Sequence, residues 1–259
     1  VGFRKQTDKV EAQAILTAIG LGKSYGKGNS YAVDDLSLSV EPGKVYGLLG
    51  PNGAGKTTSI LIMSTLLRPC RGTLSICGTD ALQHPARVRK MIGLVPQEVA
   101  LYPTLTGREN LCYFGRLNGL KGASLEARVK ACVELVGLSE NADRRVEYYS
   151  GGMKRRLNLA VGVVHRPRLL FLDEPTVGID AQSRHMILEN LLQLREEGVS
   201  MVYTTHYMEE AQQLCNTIGI MDKGKKIAEG EAKQLLEAHP GCANLEELFL
   251  HLTGRHLRD

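Results

Sequence analysis

Gly50-Pro51-Asn52-Gly53-Ala54-Gly55-Lys56-Thr57-Thr58 decides the reading of this chain. Its spacing is G-x-x-x-x-G-K-[ST], the pattern of a phosphate-binding loop. The run before it, Lys44-Val45-Tyr46-Gly47-Leu48-Leu49, reads as a short buried strand. The run after it, Thr58-Ser59-Ile60-Leu61-Ile62-Met63-Ser64-Thr65-Leu66-Leu67, reads as an apolar helix. The motif needs that strand–loop–helix context. Glycines let the backbone turn back and aim several N–H groups at phosphate oxygens. The helix that follows adds the positive end of its dipole. Lys56 supplies a flexible charge for the outer phosphates, and the Thr57 hydroxyl suits Mg²⁺. The expected ligand is a nucleoside triphosphate with Mg²⁺.

Working outward, residues 14–20 read as a first strand. A turn-rich loop, Lys23-Ser24-Tyr25-Gly26-Lys27-Gly28-Asn29, follows with one aromatic. Residues 32–40 alternate apolar and polar from Leu36 onward, as a half-buried strand does. Beyond the loop helix, strands are expected at 72–78 and 91–97, with a short helix at 84–91. From about Thr106 the period turns helical: Leu111, Phe114 and Leu117, then Val129, Cys132, Val133 and Val136, then Leu157, Ala160 and Val161.

Arg168-Leu169-Leu170-Phe171-Leu172-Asp173-Glu174 is a continuous apolar strand running into two carboxylates. A helix near 181–197, a strand at 200–205, a short helix through Glu209 and Glu210, and strands at 217–221 and 225–229 complete the alternation. The expected fold is α/β: a mainly parallel sheet with helices on both faces, an antiparallel β-rich start and an inserted helical subdomain. One domain is expected, with a β-rich start at 14–50, a core at 51–105 and 165–230, a helical insert at 107–160 and a C-terminal tail at 231–259.

The chain has 259 residues, enough to bury a sizeable core without staples. Its net charge of +4 is too small to argue for nucleic acid as a partner. Six cysteines are scattered, with no C-x-x-C pair and no zinc spacing, which fits a reducing cytosol. No apolar run is long enough to span a bilayer, so work at a membrane requires another chain to do the spanning. Residues 1 to about 12 are polar and charged, without a secretory apolar core, and are expected to be mobile.

Asp173 and Glu174 end a buried strand, the edge where open α/β sheets bind ligands. The aspartate there can hold Mg²⁺, and the glutamate can orient and polarise an attacking water. An ordinary acidic turn before Pro175 is the alternative. Ser150-Gly151-Gly152-Met153 before a helix offers N–H donors with a dipole behind them, or simply an N-cap. His206 and Gln97 each follow a strand at the same edge; a lone histidine there would ordinarily be structural.

Together, Gly50 to Thr57, Gln97, Ser150-Gly151-Gly152-Met153, Leu169 to Glu174, Gly178-Ile179-Asp180 and His206 resemble, in order and spacing, the ATPase subunit of an ABC transporter. The resemblance covers about residues 14–252. It implies ATP as the nucleotide. Tyr25 would stack on adenine, with Tyr31 its nearest rival, and Val33 would line the same site. Gln97 would sense the γ-phosphate and Mg²⁺ and move with the helical insert. Asp173 would serve the metal, Glu174 the water, and His206 the γ-phosphate and the water's orientation. Ser150, Gly151 and Gly152 would meet the nucleotide of a second subunit, and Asp180 would cross the same interface.

Two chains would therefore meet head to tail around two ATP molecules, as a homodimer with two competent sites. Closure would pass through the insert to an integral-membrane permease, and the subunit would sit peripherally on the cytoplasmic face of the cell membrane. Leu105-Thr106-Gly107-Arg108-Glu109-Asn110-Leu111, Thr204-Thr205-His206-Tyr207-Met208-Glu209-Glu210-Ala211 and the end Leu245-Glu246-Glu247-Leu248-Phe249-Leu250-His251-Leu252-Thr253-Gly254-Arg255 resemble the exporter branch, which implies drug, polysaccharide or lipid export with separately encoded permeases. The signature departs from the family at Tyr149, where leucine is usual, and at Met153, where glutamine is usual. Two other classes compete: a soluble ABC-type ATPase acting on nucleic acid or ribosomes, and a small-molecule kinase. The first usually carries coiled-coil insertions or two ATPase halves; the second gives Ser150 and His206 no role.

Overall fold

A computed structural model describes residues 14–26 and 30–254. The polar start and residues 27–29 of the first loop lie outside the described residues. The chain begins with β1 (Leu16–Ser24), β2 (Tyr31–Val40) and β3 (Val45–Leu49), and then α1 (Lys56–Met63). β4 (Arg71–Ile76), β5 (Thr79–Asp80), α2 (Pro85–Arg89) and β6 (Ile92–Val95) follow. The helical stretch holds α3 (Gly107–Leu117), α4 (Gly122–Leu135), 3₁₀ turns at Ser139–Asn141 and Val146–Tyr148, and α5 (Gly151–Val163). The second half runs β7 (Leu169–Asp173), α6 (Ala181–Glu196), β8 (Ser200–Thr205), α7 (Met208–Leu214), β9 (Thr217–Asp222), β10 (Lys225–Gly230), α8 (Ala232–Glu237) and α9 (Leu245–Thr253).

Two sheets form. One is antiparallel, in the order β2-β1-β4-β5. The other has six strands, β10-β9-β3-β8-β7-β6, all parallel except the β9–β10 hairpin at its edge. Every residue of β3, β7 and β8 is buried, because parallel strands with both faces covered see no solvent. Alternate residues serve different cores. Leu170, Leu172, Met201 and Tyr203 pack with Leu111, Val133 and Leu157 of the helical stretch. Leu169, Phe171 and Val202 pack with Leu48, Ile60 and the antiparallel sheet.

Register brings the functional segments to one edge. Leu49 pairs with Thr205, Asp173 with Thr204, and Val95 with Leu172. The residues that follow each strand, Gly50, Glu174, His206 and Pro96-Gln97, therefore emerge side by side.

Several elements differ from the sequence expectation. β1 runs on through Lys23 and Ser24, which local turn propensity assigns to a loop; pairing with β2 extends it. β5 is two residues long and exists only through pairing with β4. α1 ends at Met63, and Thr65 adopts a left-handed φ of 63°. The C-terminal stretch forms two helices. Leu245, Leu248 and Phe249 of α9 are fully buried against Leu49, Ile218 and Ile220. Among the described residues no helix is long and apolar enough to cross a membrane.

Candidate active site

The loop between β3 and α1 is shaped by what cannot be added to it. A Cβ on Gly55, whose φ is 102°, would stand 2.3 Å from the Ala32 carbonyl oxygen. One on Gly50 would stand 2.5 Å from the Met221 carbonyl oxygen. Gly55 caps α1 without a side-chain hydrogen bond, so the first-turn amides stay available to a ligand. Pro51, Gly53, Lys56 and Thr57 line a cleft of about 320 Å³ that also meets Gln97 and Glu174. Asn52 is exposed at the loop tip. The Ala54 side chain turns into the core, and its carbonyl accepts from Gly224 N at 3.0 Å.

Lys56 is buried, and its ammonium is fully engaged. Nζ donates to the carbonyls of Gly50 at 2.7 Å and Pro51 at 3.0 Å, and lies 2.9 Å from Glu174 Oε1. The other carboxylate oxygen of Glu174 lies 3.3 Å from His206 Nδ1 and accepts from Gln97 Nε2 at 3.4 Å. The His206 contact lacks hydrogen-bond alignment. Lys56 of α1 and two residues that follow separate strands thus meet on one carboxylate. Glu174 itself holds a left-handed φ of 45°, rare for a non-glycine residue. Its N–H donates to Thr204 Oγ1 at 3.0 Å and approaches the Thr204 carbonyl at 3.2 Å, which keeps the turn in place.

Asp173 is buried beside it and accepts from Thr204 Oγ1 at 2.7 Å. Burial pushes its carboxyl above the usual range, while hydrogen bonds from Thr204 and Thr57 pull it back in part. Thr57 hydroxyl, Asp173 carboxylate and Gln97 amide oxygen are all hard oxygen donors, which fits Mg²⁺. Among the described residues no cluster of three or more His, Cys, Asp or Glu forms a protein-only cage. A site that leaves metal positions to water and phosphate oxygens matches that donor set.

A second cleft, about 620 Å³, adjoins the first through Ala32 and Gly53. Tyr25 and Tyr31 both line it. The Tyr25 ring is 64 % exposed, and its hydroxyl lies 3.3 Å from Thr58 Oγ1 of the loop. Tyr31 is faced by the Arg71 guanidinium at 5.2 Å. Val33 corrects the sequence expectation: it is fully buried in the core, and Ala32 is the residue that lines both clefts. In an alternating strand adjacent residues point to opposite faces, so an offset of one moves the side chain out of the site.

Ser150, Gly151 and Asp180 lie outside the lining of both clefts. Ser150 caps α5, accepting from Met153 N at 3.2 Å, and both Ser150 and Gly151 are exposed. Asp180 caps α6, accepting from Ser183 N at 2.8 Å; that bond lowers its pKa. Gly152 joins the two helix starts, since a Cβ on it would stand 1.9 Å from Ser183 Oγ. Tyr149 is buried, and its hydroxyl donates to the Asn141 carbonyl at 2.6 Å. Gly107 makes room for that hydroxyl, because a Cβ there would approach it to 2.4 Å.

Sequence reasoning missed Thr204, which ties Asp173 to the backbone of Glu174. It missed Ala32 and the Lys223-Gly224 turn at the second cleft. It also missed Arg155, whose guanidinium donates to the carbonyls of Gln97 and Val177. Thr204 opens a stretch already quoted for its resemblance, but its role, like those of the others, is identified only by cross-strand register and loop packing.

A glycine loop that leads into a helix and holds a buried lysine against Glu174, next to Asp173 at the end of the same strand, defines a phosphate-loop nucleotide hydrolase. Comparison with known proteins narrows the class. Residues 33–177 match the family described as ABC transporter. The linearmycin resistance ATP-binding protein LnrL of Bacillus subtilis is 46% identical over 221 residues, 85% of this chain and 70% of that protein. The Nod factor export ATP-binding protein I of Cupriavidus metallidurans is 44% identical over 233 residues, 90% of this chain and 76% of that protein. A solved ATP-binding subunit of an ABC transporter superposes with a TM-score of 0.83 at 28% identity, covering 92% of this chain and 99% of that one. The ATP-binding cassette MJ0796, solved as a dimer in a post-hydrolysis state with ADP and Pi, gives 0.75 at 25% identity over 83% of this chain and 98% of that one. This chain belongs to the ABC transporter family, as an ATP-binding subunit with ATPase activity.

Proposed function

We propose that this chain powers export through a separate membrane permease by closing head to tail on a second copy of itself around two ATP molecules. One observation carries the proposal. Lys56, Gln97 and Glu174 line one cleft, with His206 and Asp173 directly beside Glu174, while Ser150 and Gly151 stand exposed at the start of α5, outside it. Donors at an exposed helix start can serve a γ-phosphate only if that phosphate is brought by another subunit. The dimers known for MJ0796 support the arrangement.

Tyr25 is assigned to adenine, the loop amides and Lys56 to the phosphates, and Thr57, Asp173 and Gln97 to Mg²⁺. The metal, when bound, neutralises charge on the phosphate oxygens. Glu174 accepts a hydrogen bond from the attacking water, and His206 orients that water and the γ-phosphate. The water oxygen bonds to the γ-phosphorus as the bond to the bridging oxygen breaks, the water's proton passes by way of the Glu174 carboxylate to solvent, and ADP and phosphate leave. Lys56, His206 and Gln97 already touch the Glu174 carboxylate, so each is within reach of the reacting groups.

The names of the relatives, Nod factor export and linearmycin resistance, support the exporter assignment. The permease is placed against the helical stretch, where exposed Tyr102 and Tyr113 stack edge to face beside the Gln97 segment. The subunit then works peripherally on the cytoplasmic face of the membrane. The testing experiment is the solution mass of Glu174→Gln with and without Mg-ATP. An ATP-dependent shift from monomer to dimer is expected. A monomer in both conditions, with ATP bound, overturns closure by this chain alone.

A further inference from the structure

Glu210 lies on α7, away from the cleft lining, and is buried to 3 % exposure. A carboxylate in such a place is costly unless it is well paired. Three hydroxyls converge on its Oε2: Tyr203 at 2.7 Å, Thr205 at 2.8 Å and Thr176 at 3.0 Å. Its Oε1 has no hydrogen-bond partner among the described residues, and Arg184 Nε stands 3.8 Å away. An apolar side chain would fill the same space at lower cost. A carboxylate there does what an apolar side chain cannot, which is to hold hydroxyls from different segments to one oxygen.

The identity of those segments gives the arrangement its meaning. Thr176 is two residues after Glu174, and Val177 N closes that turn back onto the Glu174 carbonyl at 3.3 Å. Thr205 is the residue before His206, and its Oγ1 also accepts from Tyr207 N at 2.9 Å. Tyr207 in turn packs against the His206 ring at 4.2 Å and under the Arg184 guanidinium at 4.6 Å. Arg184 belongs to α6, the helix that Asp180 caps. We infer that Glu210 is a positioning residue for ATP hydrolysis: its carboxylate clamps the Thr176 segment behind Glu174 to the Thr205 segment ahead of His206, and so sets the Glu174–His206 separation. The inference rests on the roles proposed above for Glu174 and His206.

Turnover of ATP by the purified chain tests it, with Glu174→Gln measured in parallel. Glu210→Ala is expected to lower kcat about 10- to 100-fold, the scale of a displacement near 1 Å, and to leave the KM for ATP within about twofold. Combining it with His206→Ala is expected to add little to the loss from His206→Ala alone, because the Glu174–His206 separation that Glu210 sets has no consequence once the histidine is gone. Thr205→Val removes one clamp hydroxyl while keeping the side-chain volume; it is expected to lower kcat, and Thr205→Ser to restore it. That pair decides the matter if Glu210→Ala does not fold. Unchanged kcat in Thr205→Val, equal losses in Thr205→Val and Thr205→Ser, or losses that multiply in the double variant would overturn the clamp. Normal turnover by Glu174→Gln would instead overturn the underlying hydrolysis assignment, whatever Glu210 does.

Discussion

At the scale of single residues, the site trades stability for chemistry. Asp173 is buried with its pKa raised, so the folded chain holds that proton more tightly than the unfolded chain. The sign follows from linkage: stability falls as pH rises from 3.8 through the raised folded value, and the full penalty applies above it. Asp173→Asn removes the charge and keeps an acceptor for Thr204. It is expected to unfold at a higher temperature than the parent at pH 7 in chelator, with the gap closing in acid, and to lose ATPase activity. A lower unfolding temperature at pH 7 would contradict this account. Lys56, Thr57, Asp173 and Glu174 were legible as motif residues because their chemistry demands fixed types at fixed spacing. Thr204 was not, because its role depends on standing opposite Asp173 in a neighbouring strand. Val33 was misplaced by one residue for the same kind of reason: a strand face is settled by packing.

At the scale of elements, the buried parallel strands were the most readable part of the chain. β7 appears in sequence as an unbroken apolar run from Leu169 to Leu172, and β8 spans the residues expected of it. The helical stretch was readable from its period. Its 3₁₀ turns, and the bridge between Thr106 and Arg145, were not, since they depend on contacts distant in sequence. The C-terminal stretch is where packing adds most. α9 presents Leu245, Leu248 and Phe249 at helical spacing to a core built from Leu49, Ile218 and Ile220. Phe249→Ala is therefore expected to destabilise the chain by about 3–5 kcal/mol, read from urea unfolding. A change under about 1 kcal/mol would mean that α9 is not part of the cooperative unit.

At the scale of the whole molecule, the separation of two surfaces matters most. The phosphate loop and the start of α5 belong to one chain, but the proposed mechanism assigns them to different active sites. Lys56→Ala and Ser150→Ala are each expected to abolish turnover as pure proteins, by emptying the cleft in one case and leaving the γ-phosphate uncontacted in the other. Mixed in equal amounts, they are expected to recover a fraction of the parent rate, because one of the two composite sites in a mixed dimer then has both parts intact. A mixture as inactive as its components would count against the head-to-tail arrangement.

The sequence by itself determined the class of this protein and named the residues of its proposed site. A phosphate loop, a strand ending in Asp-Glu and a Ser-Gly-Gly helix start are local patterns, each enforced by a local demand: a tight backbone, a charge at a sheet edge, a free helix amide. The tertiary structure alone decided which groups meet. That Glu174 collects Lys56, His206 and Gln97, that Thr204 braces both acids, and that Glu210 gathers three hydroxyls all depend on strands placed side by side in a particular order. Strand order and register arise from burial summed over the whole sheet, and no short stretch of sequence contains that sum.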